Sequence, residues 1–198
     1  MKSKIALLIL IIIAPFFKVS GQTGHTVNIV MFGNSITFQG KWEEVLGRND
    51  VANRGIPGYT TGQLIWTIKN GLQDHHDSKI WFLEGGINDI SLGVPVKRIF
   101  ENYKITVDSL QRNHIIPVVQ STILKNNAEA DNKQVTKLNK MVKKYCLKNN
   151  IEYIDLNEFL SRNGELIKEL TTDGCHLQSQ AYRPWGDAIK KILLKYGI

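Results

Sequence analysis

Short apolar runs alternate with longer segments of helical periodicity along most of this chain, and that alternation constrains its fold more than any other feature. Strand-like runs occupy residues 27–32, 51–53, 80–83, 115–120 and 153–156. Apolar residues at helical spacing occupy residues 41–46, 61–72, 95–113, 132–149 and 181–196. Because parallel strands need crossover helices, which cover both faces of the sheet, this order predicts an α/β fold, a three-layer α/β/α sandwich.

The composition is that of one globular domain. Of the 198 residues, 42% are hydrophobic, 22% are charged and 9% are aromatic, which excludes a disordered, fibrous or repetitive chain. The two cysteines, Cys146 and Cys175, are too few for a disulfide framework or a four-cysteine zinc site. The stability of the fold must therefore come from a hydrophobic core.

The net charge of +7 at first suggests a nucleic-acid partner. Lys2, Lys4 and Lys18 supply three of these charges within the first 21 residues, which contain no acidic residue. Residues 22–198 therefore carry only +4, and their lysines and arginines are spread along the sequence. We therefore expect no nucleic-acid partner.

The first 21 residues have the three parts of a secretory signal peptide. Two lysines precede an apolar run over residues 5–17, and the small pair Ser20 and Gly21 follows it. The run is shorter than the roughly 20 residues that a transmembrane helix needs, which favours cleavage over retention as a membrane anchor. We therefore expect a signal peptide over residues 1–21, a mature domain over residues 22–198 without stable membrane insertion, and export to the periplasm or the extracellular space.

Three loops that follow predicted strands carry groups suited to ester chemistry. Ser35 follows the first strand within Gly33-Asn34-Ser35, Gly58 lies in the loop after the second strand, and Asn88 lies in the loop after the third. Each also has a structural interpretation, since serine and asparagine cap helices and glycine permits turns. The carboxyl ends of parallel strands meet at one edge of a sheet, so we expect the three loops to lie together.

A fourth segment, before the last predicted helix, places Asp173 three residues ahead of His176. At this spacing the carboxylate can bind one ring nitrogen of the histidine and leave the other to face a nucleophile. A histidine beside an aspartate is common on protein surfaces and by itself indicates no function. Together, however, the four segments supply a nucleophile, a base, a residue that orients the base, and donors for an oxyanion.

These four segments resemble the sequence blocks of the SGNH hydrolases, also called the GDSL esterase/lipase family. The matching residues, which span nearly the whole mature chain, are Gly33, Asn34 and Ser35, then Asn53, Gly55 and Gly58, then Gly86 and Asn88, and finally Asp173 and His176. The resemblance implies a flavodoxin-like fold with a five-stranded parallel sheet and no metal or organic cofactor. The chain departs from the family at Asn34, where aspartate is usual, and at Ala181, where glycine is frequent.

The resemblance also assigns roles to individual residues. It implies that Ser35 is the catalytic nucleophile, that His176 is the base and that Asp173 orients it. The oxyanion hole would consist of the N–H groups of Ser35 and Gly58 and the side-chain amide of Asn88. The resemblance implies no metal ligand, and it does not identify the residues that bind the rest of the substrate.

The expected function is that of a secreted serine esterase that cleaves acyl esters through an acyl-enzyme. Export favours a glycan or small-molecule ester met outside the cytoplasm, and the lack of a long apolar insertion favours a short acyl group, so O-deacetylation of a carbohydrate is the leading hypothesis. A lysophospholipase or thioesterase is the alternative among enzymes. A non-catalytic glycan-binding module is the alternative of another class, although such a module has no need of Ser35, Asn88 and His176 together.

For several residues near these loops, the sequence allows two different roles. Glu84 ends the third apolar run and could hold either a loop backbone or Arg54. Four aromatic side chains could line an acyl or sugar pocket, or pack in the core. They are Trp42, Tyr59, Tyr182 and Trp185.

The remaining candidate ligands and thiols have structural interpretations. His75 and His76 lie between two aspartates at the end of the strands opposite to the candidate loops, so we expect a solvated loop rather than a metal site. Cys146 is expected in the core and Cys175 in packing contacts. In an exported protein, a disulfide between these two cysteines is an alternative to two free thiols.

Overall fold

Five parallel strands form the centre of the structure. The computed structural model describes residues 26–198, so the predicted signal peptide over residues 1–21 lies outside the described residues. The strands are β1 (Ile29–Gly33), β2 (Val51–Gly55), β3 (Ile80–Leu83), β4 (Ile116–Gln120) and β5 (Glu152–Ile154). They pair in the order β2-β1-β3-β4-β5, which is the flavodoxin-like order.

Helices cover the sheet on both faces. In the described part of the chain they are α1 (Ser35–Gln39), α2 (Trp42–Leu46), α3 (Thr61–Asp74), α4 (Ile87–Ser91), α5 (Val96–Arg112), α6 (Glu129–Lys148), α7 (Asn157–Leu160) and α8 (Tyr182–Tyr196). Helices α3, α5 and α6 pack side by side, and α2 packs against α8. The predicted three-layer α/β/α sandwich with a five-stranded parallel sheet is confirmed, and the longer elements begin and end within a few residues of the predicted bounds.

The elements that the sequence did not predict are short. They are α1, α4 and α7, together with an antiparallel hairpin of β6 (Ser161–Arg162) and β7 (Glu165–Leu166). Each spans five residues or fewer, which is too short for a periodic apolar pattern to develop.

The central strands are buried along their whole length. Every residue of β1 and β3 is buried, and Ile29, Val30 and Met31 have no exposed surface. Because helices cover both faces of a parallel sheet, both sets of side chains on such a strand must be apolar. This is why these strands appear in the sequence as continuous apolar runs instead of alternating ones.

An aromatic cluster packs in the core between α2 and α8. Tyr182 stacks on Trp185 with ring centres 5.7 Å apart, and Trp42 contacts both rings edge-on. All three side chains are buried, and the Trp185 indole donates a hydrogen bond to Gln120. For these three residues the core interpretation is correct, whereas Tyr59 is half-buried.

The two cysteines are free thiols, so the structure contains no disulfide between them. Cys146 is buried in the core on α6, and Cys175 is half-buried in the loop before α8. His75 and His76 lie in the connection between α3 and β3, where His76 pairs with Asp77 at 3.2 Å. Within residues 26–198, no three histidine, cysteine or acidic side chains form a group that could hold a metal ion.

Among the helices of residues 26–198, none combines the length and the apolar character that crossing a membrane requires.

Candidate active site

The predicted nucleophile lies at the carboxyl end of β1, on the first residue of α1. The side chain of Asn34 caps this helix, with Oδ1 accepting a hydrogen bond from the Ile36 N–H at 2.8 Å. Ser35 Oγ lies 2.9 Å from His176 Nε2, although 141 residues separate the two in sequence. The relative exposure of Ser35 is 9%, so the hydroxyl is reached from one side only.

The loop before α8 holds His176 through Asp173. Asp173 Oδ2 lies 2.6 Å from His176 Nδ1, and Oδ1 accepts hydrogen bonds from the Cys175 and His176 N–H groups at 2.9 and 2.7 Å. Partial burial raises the pKa of Asp173, but these hydrogen bonds outweigh it and hold the pKa well below its usual range. The carboxylate is therefore ionised at neutral pH and fixes which ring nitrogen of His176 faces Ser35.

The three predicted oxyanion donors belong to the segments that follow β1, β2 and β3. As the first residue of α1, Ser35 has an N–H group without a partner inside the helix. Gly58 has a φ of +77°, a conformation that side chains rarely adopt. Asn88 lies on α4 and donates one Nδ2 hydrogen to the Tyr59 carbonyl at 2.9 Å. An amide nitrogen carries two hydrogens, so Asn88 keeps a second one for a bound group.

A buried carboxylate joins the loops of Gly58 and Asn88, and the sequence interpretation missed it. Asp89 is 1% exposed and accepts hydrogen bonds from Thr61 N and Thr61 Oγ1 at 2.8 and 2.6 Å. Asn102 Nδ2 donates to the same hydroxyl at 2.9 Å. The sequence feature that could have indicated this role is the aspartate after Asn88. An aspartate at this position is equally typical of a helix cap.

Glu84 lies beneath the nucleophile and not against Arg54. Arg54 pairs instead with Asp74 at 2.9 Å, so the suggested Glu84–Arg54 pair is wrong. The Glu84 side chain contacts Thr37, whose hydroxyl lies 3.3 Å from Oε2. Glu84 N also donates to the Phe32 carbonyl at 3.0 Å, which continues the β1–β3 ladder to the edge where Ser35 lies.

The hydrogen-bonded chain of Ser35, His176 and Asp173 can activate a hydroxyl nucleophile. A neutral imidazole accepts the proton as the hydroxyl oxygen attacks a carbonyl, and the carboxylate stabilises the imidazolium that forms. Donors on three loops beside the hydroxyl can hold the negative charge that then develops on the carbonyl oxygen. The geometry suits acyl transfer.

Comparison with known proteins agrees with this geometry. The sequence profile of the GDSL-like Lipase/Acylhydrolase family matches residues 31–183. The chain belongs to this family. The matched region begins in β1 and ends in α8, so it includes all the candidate residues.

The N-acylneuraminate cytidylyltransferase of Streptococcus agalactiae serotype V is 31% identical to this GDSL hydrolase over 103 residues. The match covers 50% of this chain but only 24% of that protein. The matched part of the chain thus spans about a quarter of the length of these curated relatives.

Two solved structures illustrate the shared fold. A GDSL-like lipase from Bacteroides thetaiotaomicron superposes with a TM-score of 0.76 at 19% identity, over 86% of this chain and 89% of that one. The aryl esterase of M. smegmatis superposes with a TM-score of 0.71 at 16% identity, over 84% and 98% of the two chains. At identities of 19% and 16%, these superpositions show that the fold is shared.

Proposed function

We propose that this GDSL hydrolase is an exported serine esterase that removes a short acyl group, an acetyl group above all, from a carbohydrate. The observation that carries the proposal is the continuous hydrogen-bonded chain from Ser35 Oγ through the His176 ring to the Asp173 carboxylate. A binding module has no use for a hydroxyl aligned with a carboxylate-bound imidazole, whereas acyl transfer needs one.

In the proposed mechanism, Ser35 Oγ attacks the ester carbonyl as His176 Nε2 takes its proton. The tetrahedral oxyanion is held by the N–H groups of Ser35 and Gly58 and by the free Nδ2 hydrogen of Asn88. The C–O bond of the ester then breaks, and His176 returns the proton to the leaving sugar oxygen. Water repeats the sequence on the acyl-enzyme, which releases the carboxylic acid and restores the Ser35 hydroxyl.

The openness of the site supports a bulky alcohol and a short acyl group. The side chains of His176 and Asp173 are 36% and 51% exposed, so the site opens to solvent beside the base. A large leaving group such as a glycan fits an open edge of this kind. The streptococcal relatives are named for an N-acylneuraminate, which is a sugar, and this agrees with a carbohydrate as the alcohol part of the substrate.

Export is the part of the proposal that depends on the N-terminal sequence. A basic start, an apolar run and a small-residue end occupy residues 1–21, in the order of a cleavable signal peptide. Expression of the full chain in a bacterial host, followed by fractionation and N-terminal sequencing, tests it. Exported protein that begins near Gln22 supports export with cleavage, and exported protein that begins at Met1 contradicts cleavage.

A fluorophosphonate probe tests the enzymatic part of the proposal, with Ser35→Ala as the matched control. We expect the wild-type protein to be labelled and the variant to remain unlabelled, because the probe reacts only with an activated hydroxyl. A wild-type protein that resists the probe would instead favour the glycan-binding module.

A series of nitrophenyl esters from acetate to octanoate then tests acyl length, and acetate release from acetylated glycans tests the alcohol. We expect kcat/KM to fall as the acyl chain lengthens. Preference for octanoate, or for lysophospholipids or thioesters over acetylated glycans, would contradict deacetylation and favour one of the alternative enzymes.

A further inference from the structure

A buried carboxyl that the proposed mechanism does not use lies directly under the nucleophile. Glu84 follows β3 and is 2% exposed. Its side chain forms one hydrogen bond, from the Thr37 hydroxyl to Oε2 at 3.3 Å, and Oε1 has no partner in the described part of the chain. A carboxyl group this deeply buried is costly unless it is neutral or well paired, so its retention calls for an explanation.

The second group in this position is the side chain of Asn34. Its Oδ1 caps α1, but its Nδ2 has no partner within residues 26–198. The amide lies close enough to lower the pKa of Glu84 as a hydrogen bond would, without meeting the geometry of a well-aligned one. A buried donor and a buried acceptor without hydrogen-bond partners thus lie in the same part of the core, and Glu84 contacts α1 through the Thr37 hydroxyl.

Helix α1 carries Ser35, which the proposed chemistry needs, and its first turn packs closely against the end of β1 and the backbone of Glu84. A methyl group added at Gly33 would lie 2.2 Å from Thr37 Oγ1 and 2.6 Å from the Glu84 carbonyl oxygen. The end of β1, the first turn of α1 and Glu84 are therefore in direct contact. The Glu84 side chain bonds to Thr37 in the same turn as Ser35, so we expect a change in that side chain to displace both the Oγ and the N–H of Ser35.

We propose that Glu84 is a positioning residue for the nucleophile: its buried side chain bonds to Thr37 beside the capping residue Asn34 and holds the turn that presents the Oγ and N–H of Ser35. This inference rests on the proposed function, because it takes Ser35 as the nucleophile. Glu84 is too deeply buried to touch a substrate, so its effect on the reaction must pass through α1.

The surroundings of Glu84 favour the neutral form. The titratable groups that face it are Tyr103 from α5, Tyr182 from α8 and Cys175 from the loop before α8. All three are themselves raised in pKa by burial and are uncharged at neutral pH. Among the described residues no lysine, arginine or histidine acts on Glu84, and burial raises its pKa to about 8 against the opposing effect of Thr37 and Asn34.

Three proteins test this role: the wild type, Glu84→Gln and Glu84→Ala. Glutamine has the shape of the neutral acid, so we expect its kcat for nitrophenyl acetate at pH 7 to stay within about threefold of the wild-type value. Alanine leaves α1 unsupported, and we expect kcat to fall by about tenfold or more at nearly constant KM, because misplacing a reacting atom costs rate. A wild-type kcat in Glu84→Ala, or an equal loss in Glu84→Gln, would overturn the proposal.

A pH profile separates positioning from mere structural support. Above about pH 8 the wild-type Glu84 ionises in the folded state, and we expect kcat to decline there, whereas the profile of Glu84→Gln should lack that decline. A decline of equal size in both proteins would exclude Glu84 as its origin and overturn the neutral-acid role.

Thr37→Val provides a second route if Glu84→Ala does not fold. The hydroxyl bond lowers the pKa of Glu84, so its removal should move the alkaline decline to higher pH and reduce kcat by about threefold or more. An unchanged kcat and an unchanged profile would contradict the proposal. A wild-type enzyme without esterase activity or fluorophosphonate labelling would contradict the proposed function itself, and this failure is visible before any variant is compared.

Discussion

Asp173 binds His176 through both of its carboxylate oxygens. Oδ2 lies 2.6 Å from the ring Nδ1, while Oδ1 accepts the His176 backbone N–H at 2.7 Å. One side chain thus fixes both the backbone and the ring of the same histidine. The result is that His176 Nε2 faces Ser35 Oγ at 2.9 Å.

Asp173→Asn should lower kcat/KM by about 10²-fold or more. The amide can still accept the backbone N–H groups with its oxygen, but its NH₂ group then faces Nδ1 and stabilises the wrong tautomer of the ring. Steady-state kinetics with nitrophenyl acetate measure the loss. If the rate is unchanged, His176 is oriented by another group and the site is a serine–histidine dyad.

The same residue should affect stability in acid. The folded-state pKa of Asp173 lies below its ordinary value, against the effect of partial burial and because of the hydrogen bonds from His176 and Cys175. The stability that it contributes is therefore present above about pH 4 and is lost as the pH falls from there through the folded-state pKa. Melting curves from pH 7 to pH 2 should fall more steeply for the wild type than for Asp173→Asn, and parallel curves would contradict this.

Ser35→Ala should abolish turnover and leave the fold intact. The hydroxyl makes its one side-chain hydrogen bond to His176, whose ring is partly exposed and can bind water instead. We expect the free energy of unfolding to change by about 0.5 kcal/mol or less, measured by urea denaturation beside the activity assay. A loss of activity together with unfolding would identify Ser35 as a structural cap.

Asn88→Ala should lower kcat by about 10²-fold with little change in KM. An oxyanion donor acts mainly in the transition state, so its removal changes the rate more than substrate binding. The bond from Asn88 Nδ2 to the Tyr59 carbonyl is lost as well, and a melting curve reports that structural part separately. A rise in KM alone would assign Asn88 to binding of the ground state.

Asp89→Asn should destabilise the protein by about 1–3 kcal/mol. The two carboxylate oxygens of Asp89 accept hydrogen bonds from Thr61 N and Thr61 Oγ1, and in the variant an NH₂ group replaces one of these acceptors. The loops of Gly58 and Asn88 are joined at this point, so kcat should fall as well. Urea denaturation and kinetics measure the two effects. Unchanged stability would show that Thr61 finds another acceptor.

The sequence was sufficient for the fold class because its signals are local and repeated. The apolar run of β3 and the helical spacing of α5 extend over enough residues for their periods to be recognised. Alternation of such segments then restricts the topology to a parallel sheet with helices on both faces. Helices α1 and α4, at five residues each, carry no period and appeared only as loops.

The order of the four candidate segments was also sufficient to predict that they converge, since the carboxyl ends of parallel strands share one edge. What the sequence could not show is the distance between Ser35 and His176, because 141 residues separate them and their contact depends on how α8 and its preceding loop pack on the sheet. The hydrogen bonds that position the loops also join residues that are far apart in the sequence, as the bond between Asp89 and Thr61 does.

Glu84 shows this limit most clearly. The sequence marked it as a charged residue at the end of a buried strand, and a pair with Arg54 was a reasonable expectation. In the folded protein Arg54 pairs with Asp74, and Glu84 contacts Thr37. The reason is geometric: strand order and helix packing decide which side chains meet under the nucleophile, and neither can be read from the residues next to Glu84 in the chain. Local pattern thus determined the fold class, the candidate residues and the pair of Asp173 and His176, while tertiary packing decided the contacts between distant segments, such as Ser35 with His176 and Glu84 with Thr37.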